Sequence, residues 1–91
     1  MAELKVGDWV LATDTRSSIY CHLVVVTGRS GDGYSTHKVY STWGVLTPSS
    51  WYLDAPGMDW PYIRLASQTE EAALLEVRLL GYGAGMKRVP E

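Results

Sequence analysis

No phenylalanine occurs in this 91-residue chain, cysteine occurs once, and no run of apolar residues exceeds four, as in Leu23 to Val26. Each shortage removes a class of protein. A lone Cys21 cannot form an intrachain disulfide or close a cysteine-based zinc centre. An apolar run that short falls far below the roughly 20 residues of a membrane-spanning helix. The opening Met1-Ala2-Glu3-Leu4-Lys5 lacks an apolar signal core, so a reducing cytoplasm is the expected compartment. Charge of one sign is scarce too, since eight basic and ten acidic side chains leave a formal net charge of −2. That balance offers no field for a phosphate backbone, so Arg16, Arg29, Lys38, Lys87 and Arg88 are not expected to bind nucleic acid.

What is present reads as one globular domain. Hydrophobic residues make up 46% and charged residues 20%. At this length a folded chain buries roughly 60–65% of its unfolded surface, enough to fold without staples. The domain is expected over residues 1–80, with a flexible glycine-rich tail over 81–91. Asp8 to Asp14 reads as a first strand, Val10 and Ala12 on one face and Trp9 and Leu11 on the other. Both faces are apolar, which asks for a cover on each. Ser18 to Thr27 is dense in β-branched and aromatic residues and forms a second strand. Asp32-Gly33 supplies hairpin chemistry, and a third strand from Ser35 to Leu46 returns antiparallel, with a bend or bulge at Gly44. Trp51 to Leu53 and Pro61 to Ala66 complete five strands.

A helix follows over residues 68–80. Ser67-Gln68-Thr69-Glu70 has capping-box spacing, and Gly81 stands where a left-handed C-terminal residue is needed. Ala72, Leu75 and Leu79, flanked by Ala73 and Leu80, form the stripe expected to cover Trp9 and Leu11. Leu74 and Val77 lie toward the other side and are the expected homodimer contact.

The Val6-Gly7-Asp8-Trp9-Val10-Leu11-Ala12 opening, the five short strands and a last strand ending Tyr62-Ile63-Arg64-Leu65-Ala66 resemble the Src-homology-3-like small barrels, which include Tudor and KOW domains. The resemblance spans Val6 to Ala66. It implies a mainly β fold, a five-stranded antiparallel barrel covered by the C-terminal helix. For a Tudor domain it would also imply an aromatic cage holding a methylated lysine or arginine, with Trp9, Tyr20, Tyr40, Trp43 and Tyr52 as candidates.

Catalytic signatures are weak. Cys21 and His22 are neighbours on a strand and point to opposite faces, so they cannot pair as nucleophile and base. Two histidines with Asp32 fall short of a zinc site, and whether His37 approaches Cys21 or His22 depends on register. Gly28, Gly31 and Gly33 lie between strands, whereas phosphate-cradling glycines lead into a helix. No catalytic residue, metal ligand or cofactor is assigned. The aromatics carry the stronger signal: four Trp and six Tyr each join an apolar body to a polar handle, suited to half-buried surfaces. They concentrate in Trp51, Tyr52, Trp60 and Tyr62, in a stretch that also holds Asp54, Met58, Asp59 and two prolines. This is the expected partner-binding surface, extended by Trp9, Tyr40 and Trp43, and its carboxylates favour a protein partner with basic side chains. The expected function is a non-enzymatic interaction module, such as a small accessory or inhibitor protein of phage or bacterial origin. The alternative is a small-ligand or catalytic pocket formed where copies of a homo-oligomer meet.

Overall fold

In the computed structural model the described residues are 4–14, 17–31, 33–42, 50–53, 62–82 and 85–89, and for 14, 17–20 and 50–53 the backbone alone is described. Five antiparallel strands form one sheet: β1 (Trp9–Asp14), β2 (Ser17–Ser30), β3 (Gly33–Ser41), β4 (Ser50–Leu53) and β5 (Tyr62–Arg64). Their spatial order is β4-β3-β2-β1-β5, so the last of these strands returns beside the first. Helix α1 (Glu70–Leu79) and a two-residue strand β6 (Lys87–Arg88) follow. No described helix is long and apolar enough to cross a membrane.

The opening motif builds a turn before it builds a strand. Asp8 N–H donates to the Lys5 carbonyl at 3.0 Å, closing a four-residue turn whose third residue, Gly7, has φ +94°. That is the type II position that favours glycine. The Asp8 carboxylate accepts from Lys5 N–H at 2.8 Å, locking the turn from outside. Thereafter the alternation holds as read: Trp9 and Leu11 join one buried cluster and Val10 another, with Leu11 and Val10 fully buried.

The β2–β3 hairpin is less regular than its sequence suggests. Register slips between Leu23 and Val24 and again between Val26 and Gly28. The first slip inserts Val39 into β3 and the second inserts Thr27 into β2, and bulges of this kind sharpen twist. At the first, the adjacent Val39 and Tyr40 both join the cluster under the helix. The expected bulge at Gly44 lies outside the described residues. The positive φ of the turn belongs to Gly31, not to Gly33.

The helix covers Trp9 and Leu11 as expected, but with the opposite face. Ala73 and Val77 are fully buried against Leu11, Leu23 and Leu65, whereas Leu75 and Leu79 are 57% and 79% exposed. Polar fastenings accompany this azimuth. Glu76 accepts from Ser67 Oγ at 2.6 Å and from Ala66 N–H at 3.3 Å, and Glu70 pairs with Arg88. The N-cap is Thr69, whose hydroxyl accepts from Ala72 N–H at 3.3 Å, because Ser67 is engaged with Glu76. At the other end, Tyr82 N–H donates to Val77 C=O and Gly81 N–H to Arg78 C=O, both at 3.0 Å, with Gly81 at φ +89°. These bonds form a Schellman cap, which an L side chain at Gly81 strains. Gly81→Ala is expected to destabilise the domain by about 1 kcal/mol in urea unfolding, with its contacts otherwise intact.

Within the segment expected to be a flexible tail, a short strand pairs with β3. β6 pairs with β3 through Tyr40↔Arg88 and Ser41↔Lys87, Val89 N–H donates to Val39 C=O at 2.9 Å, and Val89 is buried. A lone valine among charged residues is a faint sequence signal, and burial of that side chain is what holds the strand here.

Candidate functional site

The candidate aromatic surface divides among several places. Trp9 is buried to 7% exposure in the helix–sheet cluster, so it offers no binding surface. Tyr40 is half-buried against the same cluster and carries the Arg88 guanidinium 5.7 Å from its ring centre. Tyr62 packs on the opposite side of the sheet, with Leu4, Val10, Val24, Val26 and Tyr34. Burial, and then the neighbouring Tyr34, push the Tyr62 phenol above its ordinary pKa. Of the cage candidates, Trp9 and Tyr40 belong to the helix–sheet cluster, Tyr20 and Tyr52 are described by their backbone alone, and Trp43 lies outside the described residues. Trp51 and Tyr52 lie on β4, opposite Thr36 and Ser35, with only their backbone described. Trp43, Asp54, Met58, Asp59 and Trp60 lie outside the described residues. Of the two expected dimer contacts, Val77 is fully buried inside the protomer, whereas Leu74 is half-buried, packed on the core with one side and lining a groove along the outer side of α1 with the other.

Register resolves the histidines. His37 sits opposite Val25, whereas His22 sits opposite Ser41, whose Oγ is 2.8 Å from His22 Nδ1. The inserted Val39 turns Lys38 and Ser41 to the same side as His22, Val24 and Val10, away from the helix. His22, Lys38, Thr36 and Ser41 are all at or below 5% exposure there. Burial, reinforced by the Lys38 charge, lowers the His22 pKa from 6.5 to about 4, and burial also lowers that of Lys38. His22 is therefore a neutral imidazole at pH 7. Sequence alternation hid this group, because an unbulged β3 would put Lys38 on the side of Tyr40.

Two features lie at the surface. A groove of about 580 Å³ runs between Val6–Asp8 and Arg64–Gln68, with Asp8 and Arg64 paired across it at 3.2 Å. A second, of about 430 Å³, follows the outer side of α1 along Thr69, Ala72, Leu75 and Arg78. Among the described residues no group of three or more His, Cys, Asp or Glu is placed to hold a metal. Of the basic residues, Lys38 is buried and Arg88 is paired with Glu70. No protein family, curated protein or solved structure matches this chain.

Proposed function

We propose that this chain is a non-enzymatic protein-interaction module on a closed, Src-homology-3-like barrel, with the segment from Trp51 to Tyr62 as its docking surface. The observation that carries the reading is the placement of that segment's two ends. β4 and β5 occupy opposite edges of the sheet, Leu53 level with Tyr34 and Arg29, and Tyr62 level with Ala12 and His22. In a flat sheet these ends would lie about 30 Å apart, from strand spacings of about 4.8 Å and a rise of about 3.3 Å per residue. The nine peptide steps from Leu53 to Tyr62 reach only about 30–32 Å when fully stretched. Coiling of the sheet removes that demand, and the bulged β2–β3 hairpin favours such coiling. The aromatic-acidic segment is then joined at both ends to registered strands, which limits the entropy lost when a partner docks.

The inward placement of His22 and Ser41 supports the non-enzymatic reading, since a substrate has no approach to a pair this deeply buried. Affinity capture with the wild type and with Trp60→Ala tests the named surface. A central tryptophan anchor is worth about 2 kcal/mol or more, so the variant is expected to bind a captured partner at least roughly 30-fold more weakly. Equal affinity for every captured partner removes this surface from consideration.

A further inference from the structure

Helix α1 has two apolar sides, and the sheet uses one of them. Opposite the buried Ala73 and Val77, the exposed Ala72, Leu75 and Leu79 line up along the helix, and the first two flank the 430 Å³ groove. Glu71 and Arg78 also line this groove. Residues seven apart fall about 20° from alignment on an α-helix, so Glu71 and Arg78 share one flank, two turns apart. Neither has an ion-pair partner among the described residues, although both are exposed.

This arrangement is complementary to itself, and we infer that the outer face of α1 is a homodimer interface in which two copies of the helix pack antiparallel about a twofold axis near Leu75. A twofold axis perpendicular to the helix places the same surface of each copy against the other and reverses the helix direction. Glu71 then comes level with the partner's Arg78, and Arg78 with the partner's Glu71, so opposite charges meet twice. A parallel pairing would set like charges together. The same operation brings the protruding Leu79 against the groove beside Glu71 and Ala72 of the other copy, and sets Leu75 against its own symmetry mate. The small Ala72 permits the close approach that such packing needs. The occupant committed to is a second copy of this chain, because its own charge order and its own protruding leucine supply both halves of the fit.

Sedimentation equilibrium of the full chain over micromolar to millimolar concentration tests this, with circular dichroism reporting the fold of each variant. The wild type is expected to reach twice its 10.1 kDa monomer mass, and Leu79→Glu, at an exposed position, to stay monomeric with an unchanged spectrum. Glu71→Arg and Arg78→Glu alone are each expected to weaken the dimer by roughly tenfold or more, through two lost pairs and the repulsion that replaces them. The double charge reversal re-forms both pairs and is expected to restore the wild-type constant. A wild type that remains at 10.1 kDa throughout overturns the inference. Single reversals that weaken association without rescue in the double variant overturn the antiparallel arrangement.

Discussion

Val77→Asp is expected to abolish the folded state or lower Tm by roughly 20 °C or more, whereas Leu75→Asp two residues earlier leaves the domain folded. Val77 is fully buried among Leu11, Leu23, Leu65 and Ala73. A carboxylate there loses its hydration, gains no cationic partner in that apolar cluster, and removes a well-packed side chain. Together these effects cost about 4–5 kcal/mol. A chain of this size has about 5–10 kcal/mol of total stability, so the substitution consumes most or all of it. Leu75 is 57% exposed, and its replacement costs about 0.5 kcal/mol in helix propensity and little else. Thermal unfolding of the two variants side by side reads out the azimuth of α1. Equal destabilisation would contradict it.

That azimuth also shows where sequence reading stops. Two sets, Ala72-Leu75-Leu79 and Ala73-Val77-Leu80, satisfy the helical period equally well, so amphipathicity cannot choose between them. The choice is made by tertiary contacts, Ala73 and Val77 against Leu11, Leu23 and Leu65, accompanied by the bonds from Glu76 to Ser67 and from Glu70 to Arg88, and none of these is visible in a local window. The first strand was legible because alternation over Trp9 to Ala12 needs no partner to interpret it. The antiparallel β2–β3 hairpin and the C-terminal cap were legible for the same local reason, with Gly81 marking the end of the helix, whereas the pairing of β5 with β1 joins segments some fifty residues apart and has no local signal. The environment of Lys38 was not, because a single inserted residue, Val39, changes the face of everything beyond it. Trp9 shows the limit for site residues: a tryptophan serves a core or a docking surface with the same chemistry, and only its neighbours decide. The aromatic-acidic segment remains the strongest compositional signal for binding, and the register of its two ends is what the fold adds to it.

The same inserted residue leads to the second large effect, a loss of stability on mild acidification that depends on His22. Its folded pKa of about 4 lies below the unfolded value of 6.5 because burial and the Lys38 charge both disfavour the imidazolium. Between those two values the unfolded chain binds a proton that the folded chain excludes. The contribution is therefore fully present above pH 6.5, falls as pH drops through the window toward about 4, and levels off below it. By pH 4.5 the loss amounts to about 2–3 kcal/mol. With an m-value near 1 kcal/mol/M, the urea midpoint is expected to move down by about 2 M from its value at pH 7. Carboxylates begin to titrate at the lower end of this range, so the diagnostic quantity is the difference from His22→Gln. Glutamine retains a side-chain partner for Ser41 and does not titrate, and its midpoint should fall much less over the same range. Lys38→Met removes the smaller of the two causes, so His22 is expected to titrate at a higher pH and the acid-dependent loss to shrink. A wild type and a His22→Gln variant with parallel pH profiles would show that the imidazole is not held neutral by the fold.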